Sequence, residues 1–184
     1  VPENFEVIPE NLSIEDRWII SEFQNTMSEV KNSWINIDIY SATQALKSFG
    51  TGILPSHYLE MVKSRLYDED KNAAWTLHRI VRDFMSAFSP ICPFFTHHIS
   101  TTIYGTSAVE VDSFPENFVA ELESNSAEGD KLRNLSNELQ VFNSEVWSTK
   151  KENGISLNQP ISGIKIPDNL SLFTEVFTRM HKLE

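Results

Sequence analysis

The sequence predicts a mainly α chain, a helical bundle followed by a small α+β C-terminal appendage. Two apolar stripes at helical spacing carry that expectation. Ile19, Phe23, Met27, Val30 and Trp34 form one, and Leu132, Leu135, Leu139, Phe142 and Val146 the other, each recurring at steps of three and four. A third signal lies between them, where residues 58–95 give two further helical patterns around the acidic turn D-E-D-K. With 184 residues, 40% of them hydrophobic and including 12 Phe and 4 Trp, the chain can bury a sizeable core.

In chain order, residues 1–12 form a linker with Pro2 and Pro9. Ser13 is placed to cap the first helix, with Glu15 and Asp16 in its first turn, and the helix is expected to end near Asn36. Asp38 caps a second helix that turns Ile39, Ala42, Leu46 and Phe49 inward. Gly50, Gly52 and Pro55 are expected to break or kink it. A helical hairpin follows from about Ile53. Leu59, Val62 and Leu66 share one stripe, and Leu77, Val81, Phe84 and Phe88 the next. Asp68, Glu69 and Asp70 stand where a helix dipole favours negative charge.

Pro90 and Pro93 end that hairpin, and a helix over 95–104 turns Ile99 and Ile103 inward until Gly105 stops it. Residues 108–114 alternate like a short extended stretch, and 115–129 form an acidic connector. The second stripe then runs from Lys131 to Asn153-Gly154. Two short strands are expected at 155–157 and 161–166, and a last helix from Leu170 carries Leu172, Phe173, Val176, Phe177 and Met180. The expected divisions are thus a linker (1–12), a bundle (13–115), a connector (116–130) and a small subdomain (131–184).

The formal charge is -11, but it is regional. Residues 1–30 hold seven acids and one base, and residues 110–130 seven acids and no base, leaving 12 acids and 14 bases elsewhere. The hairpin is therefore close to neutral, and a nucleic-acid contact stays open there despite the overall acidity. No apolar run approaches a membrane span, and no signal-peptide pattern opens the chain. A single cysteine, Cys92, excludes an internal disulfide and fits a reducing cytoplasm.

The usual catalytic patterns are missing. Six scattered glycines give no phosphate-cradling loop, and there is no nucleophile elbow, no H-E-x-x-H and no cysteine pair. His57, His78, His97, His98 and His181 lack ligand spacing. The adjacent pair at 97 and 98 diverges by about 100° on a helix, which prevents shared chelation.

Several segments together resemble one family: D-R-W-I-I-S at 16–21, H-Y-L-E-M-V-K-S-R-L-Y at 57–67, A-A-W-T-L-H at 73–78, S-P-I-C-P-F-F-T at 89–96 and V-E-V-D-S-F-P at 109–115. In order and spacing they are similar to the anticodon-binding helical domain of class I aminoacyl-tRNA synthetases of the valyl, isoleucyl and leucyl group. The 58–67 segment resembles the valyl branch more than the isoleucyl one. The likeness spans roughly residues 12 to 165. It departs from the family pattern at the Gly50/Gly52 pair and at His97-His98, and before Ser13, where relatives carry a helix with an Asn and an Arg-Phe pair.

The resemblance implies tRNA, through its anticodon stem-loop, as partner, and no DNA. It also implies a cytoplasmic location and no cofactor in these residues. ATP and Mg would serve a catalytic domain of the parent chain, because both ATP-site signatures of the class are missing here. The chain, opening on Val1, is expected to be an excised piece with that domain on its N-terminal side.

Basic side chains are the candidate contacts: Lys63 and Arg65 on one helix, Arg79 and Arg82 on its partner, and Lys150 with Lys151 beside the tail. Lys63 and Arg65 match the family's K-x-R piece, which in relatives is also able to hold helices together. Tyr58 and Tyr67 are stacking candidates that packing at the seam explains more simply, while Trp18, Trp34 and Trp75 serve the core. The competing readings are an isoleucyl or leucyl counterpart and an acidic helical protein-interaction module without RNA binding.

Overall fold

A computed structural model describes residues 7–107 and 126–184. The first helix, α1 (Ile14–Ile35), starts at Ser13 in a capping box with Asp16 and ends at Asn36, as the sequence predicts. Its return limb is a continuous rod. α2 (Ile39–Ser48), capped by the Asp38 side chain accepting from the Ser41 N–H, passes into a π-helical stretch (Phe49–Tyr58) and then α3 (Leu59–Tyr67).

The break or kink expected at the glycine pair takes the form of a change of helix type, the α-helix ending at Ser48 where the π stretch begins. A π turn is wider than an α turn, and it absorbs Pro55, whose ring clashes with the preceding turn of a regular helix. Gly50 matters for a different reason. A Cβ there would stand 2.6 Å from the tip of the Phe84 ring, so the missing side chain lets the next helix close in.

α4 (Lys71–Phe88) runs back alongside α1, capped by the Asp70 carboxylate accepting from the N–H groups of Asn72 and Ala73. Its deepest face is Ala73, Thr76, Ile80, Asp83 and Ala87. The expected stripe of Leu77, Val81, Phe84 and Phe88 is only partly buried. α4 is covered on two sides, so the apolar stripe is the flank of the contact rather than its centre. α5 (Pro93–Tyr104) packs on α4 through Thr96 and Ser100, while Ile103 lies outward. Tyr104 joins the two helices, its hydroxyl donating to the His78 carbonyl at 3.2 Å. Gly105 ends α5 at φ 69°. The extended stretch expected at 108–114 and residues 116–125 of the expected connector (116–130) lie outside the described residues, while its last residues, 126–130, belong to a helix.

The C-terminal part shares the core of the bundle. α6 (Ser126–Asn134) lies on α1, and the Ser21 hydroxyl donates to the Gly129 carbonyl at 2.8 Å. α7 (Ser136–Glu152) meets α1 where the Trp18 indole N–H donates to Ser136 Oγ. A 3-10 turn (Asp168–Phe173) leads into α8 (Thr174–His181), which packs on α3. Trp18, Phe23, Phe49, Tyr58, Phe142 and Phe177 belong to one contiguous core. Leu172 points outward.

No β-strand forms among the described residues. The two expected at 155–157 and 161–166 reduce to a single parallel bridge between Ile161 and Leu183. Pro160, Pro167 and the left-handed Gly163 (φ 81°) deny the segment a ladder. The appendage is therefore helical and looped rather than α+β.

The α1–α2 turn is strained. Ile37 N–H donates to the Trp34 carbonyl and Asp38 N–H to the Ser33 carbonyl, the double closure of a Schellman motif. The same closure at the end of α7 uses Gly154. Ile37 instead holds φ 57°, a left-handed conformation that costs a β-branched residue about 1–2 kcal/mol. Ile37→Gly is accordingly expected to raise stability by about 1 kcal/mol, read as a higher urea midpoint at unchanged slope.

Candidate nucleic-acid interface

Of the six basic candidates, Arg79 and Lys150 are buried, Arg65 and Arg82 are partly buried, and Lys63 and Lys151 are exposed. Arg65 leaves the C-terminal half of α3 and turns inward. Its guanidinium donates to Glu15 Oε1 at 3.0 Å, Asp16 Oδ2 at 2.8 Å and Asp70 Oδ2 at 2.9 Å. Asp16 also accepts from the Tyr58 hydroxyl at 2.8 Å, and Glu15 from Arg179 of α8 at 2.8 Å. One guanidinium thus ties the starts of α1 and α4 to the end of α3. Burial pushes the Asp16 carboxyl above its ordinary value, while the hydrogen bonds and charge of Arg65 and the Tyr58 hydroxyl oppose the rise. The Tyr58 hydroxyl is pushed well up, first by burial and then by the Asp16 charge.

Arg79 is buried as well, and it donates to Asp83 Oδ2 at 3.0 Å, one helical turn on. Arg82, half-buried, donates to the other oxygen of the same carboxylate at 3.3 Å. The fully buried Lys150 donates three hydrogen bonds, to the carbonyls of Leu157 (2.9 Å), Gln159 (2.6 Å) and His181 (2.7 Å). Expectations of RNA contact at Arg65, Arg79 and Lys150 are therefore corrected. A buried cation whose donors are engaged inside the fold does not reach a phosphate. Arg82 is partly committed in the same way.

Lys63 and Lys151 remain at the surface. Lys63 lies 3.4 Å from Glu60 in an exposed ion pair of the kind that contributes little. Four residues on, Tyr67 exposes 78% of its surface. Packing at the seam, the simpler expectation for both tyrosines, holds for the buried Tyr58 and fails for Tyr67. Residues at i and i+4 share a helix face, so α3 presents an ammonium and an aromatic ring side by side. The sequence held that signal in the K-x-x-x-Y spacing, but the family's K-x-R piece pointed to Arg65 instead.

A second buried polar cluster joins the π stretch, α7 and α8. Asn143 Nδ2 donates to His57 Nδ1 at 3.1 Å, and Asn143 Oδ1 accepts from His181 Nε2 at 2.8 Å. The Trp147 ring lies against both imidazoles. Burial, then the Lys150 charge, depresses His181 to about 4, and burial lowers His57. A depressed folded value means that the unfolded chain takes up protons first. Stability is therefore whole above about pH 6.5 and is lost as pH falls towards 4. Between pH 7 and 5 the His181 contribution is expected to fall by about 2 kcal/mol, which urea midpoints at the two pH values would read. His181→Gln should flatten that dependence.

No group of three or more His, Cys, Asp or Glu able to hold a metal occurs among the described residues. No helix there is long and apolar enough to cross a membrane.

This arrangement, a helical bundle in which Arg65, Arg79 and Lys150 are engaged inside the fold while Lys63 and Tyr67 share an exposed face, can be set beside known proteins. Residues 16–166 match the family model described as the anticodon-binding domain of tRNA ligase, and the chain belongs to that family. Similar proteins include the valine–tRNA ligases of two organisms. That of Saccharolobus solfataricus is 32% identical over 155 residues, covering 84% of this chain and 18% of the relative. That of Methanothrix thermoacetophila is 33% identical over 164 residues, covering 86% of this chain and 18% of the relative. The chain thus spans about 18% of the length of these relatives.

Proposed function

We propose that this chain is the tRNA-holding portion of a cytoplasmic valine–tRNA ligase, gripping the anticodon stem-loop while valylation proceeds at a catalytic domain of the parent polypeptide. That domain would use ATP and Mg. The observation that carries the reading is the family match over residues 16–166, in a chain whose similar proteins are valine–tRNA ligases. Of the six basic candidates, the most exposed are Lys63 and Lys151, and the reading places the contact at the α3 corner: Lys63 for phosphate and the exposed Tyr67 for an unstacked base, with Lys151 as a further phosphate contact. The partly buried Arg65 hub positions this corner by fixing the end of α3 against α1 and α4.

The test is fluorescence anisotropy with a labelled anticodon stem-loop at several salt concentrations. Affinity is expected to fall with salt, and Lys63→Ala to reduce the slope of log K against log salt by about 0.7–0.9, the release of one phosphate contact. Tyr67→Ala is expected to cost about 1–3 kcal/mol of binding, the worth of one stacked base. Binding that ignores both salt and these substitutions would favour a protein-interaction module.

A further inference from the structure

The C-terminal helix holds α3 from behind. Val176 and Phe177 of α8 are buried in the common core, and the same helix sends Arg179 towards α1 and α3. Its Nη2 donates to Glu15 Oε1 at 2.8 Å and to the Met61 carbonyl at 3.4 Å. The same Glu15 oxygen accepts from Arg65 Nη1 at 3.0 Å. Glu15, Asp16 and Asp70 thus meet Arg65 and Arg179, three carboxylates with two guanidiniums. Without Arg179, the Glu15 carboxylate, only 3% exposed, would compete with Asp16 and Asp70 for a single guanidinium.

This contact fixes how α3 is turned about its own axis. The helix is nine residues long and enters from the π stretch, so its rotation is set by whatever holds its sides. At about 100° per residue, Met61 and Arg65 lie about 40° apart on one side of α3. Lys63 lies about 160° from Met61 and shares its side with Tyr67. Arg179 therefore works on the face of α3 turned away from the exposed pair, with its donors engaged there. A rotation of the helix moves the long side chains of its outer face furthest, and those are Lys63 and Tyr67.

We infer that Arg179 is a positioning residue for the RNA-holding face of α3, so that α8 belongs to the tRNA-holding unit rather than being an appendage to it. The inference rests on the reading of Lys63 and Tyr67 given above. It assigns Arg179 no contact with RNA. Its part is to hold the opposite face of α3 at the angle from which an ammonium and an aromatic ring reach one strand together.

The test titrates variants of the intact chain with the labelled anticodon stem-loop at several salt concentrations. Arg179→Ala is expected to weaken binding about fivefold or more, with the slope of log K against log salt unchanged because no phosphate contact is removed. Arg179→Lys, which keeps the charge but not the fork, should recover part of the loss, and it carries the test if Arg179→Ala does not fold. Arg17, paired with Glu128 and 43% exposed against 38% for Arg179, is the charge-matched control. Arg17→Ala is expected to leave affinity within about twofold. In a Lys63→Ala/Tyr67→Ala background, measured at low salt, Arg179→Ala should have little further effect, since the side chains it positions are gone. Circular dichroism and the urea midpoint show which variants are folded at the titration temperature. A role in stability alone would lower the midpoint and leave the affinity of the folded chain unmoved.

Four results would overturn the inference while leaving the RNA reading in place. They are unchanged affinity in folded Arg179→Ala, an equal loss in Arg17→Ala, a salt slope lowered by about 0.7–0.9, which would make Arg179 a phosphate contact itself, and an undiminished effect in the double-variant background. Failure of the unaltered chain to bind the stem-loop is a different result. It would overturn the RNA reading first and this inference with it.

Discussion

Arg65→Ala is expected to destabilise the chain by about 3–5 kcal/mol, enough to remove most of the stability of an ordinary domain. The substitution leaves Glu15, Asp16 and Asp70 without the guanidinium that joins them. Glu15 keeps Arg179 and Asp16 keeps Tyr58, but neither replaces a three-way fork at the junction of α1, α3 and α4. Arg65→Lys should recover only part of the loss, because one ammonium does not reproduce a planar fork with separate donors for three carboxylates. Urea midpoints of the two variants measure this directly. A change below about 1 kcal/mol for Arg65→Ala would mean that the guanidinium is not the joint described here, and would return it to the list of surface contacts.

Lys150→Met is expected to cost about 3 kcal/mol or more. The thioether keeps the apolar stem but leaves the carbonyls of Leu157, Gln159 and His181 without their common donor. Each orphaned buried acceptor costs about 1–3 kcal/mol, discounted where the loop relaxes towards water. The damage should be local first. Amide exchange is expected to accelerate over residues 155–162 and 181–184, including the Ile161 N–H that donates to the Lys182 carbonyl, while α4 stays protected. Uniform acceleration would show instead that Lys150 supports the whole core. Lys150→Met does not touch the exposed Lys63–Tyr67 face, so its stem-loop affinity at a temperature where the variant is folded should change little.

These two residues show how far a sequence carries a site. The ends of α1 were legible because caps are local: Ser13, the following acids and the final Asn36 act within a few residues of one another. The core stripes of α1 and α7 were legible because each helix buries one face and exposes the other, and the family was legible because several short segments keep their order along the chain. The centre of α4 was misread because that helix is covered on two sides, and periodicity marks an apolar stripe without saying which neighbour covers it. The strands expected near the C-terminus failed because an alternating stretch needs a partner in register, and among the described residues the end of the chain supplies one bridge.

What the sequence alone determined is the helical class, the ends of α1 and the family, since all three depend on residues close in the chain or on their order. The fate of each cation was decided by tertiary structure. Arg65 meets Glu15 and Asp16 across about 50 positions of sequence, and Lys150 meets His181 across 31. Whether a basic side chain faces water or a buried carboxylate is set by which distant element lies across from it. Only the packed bundle supplies that information.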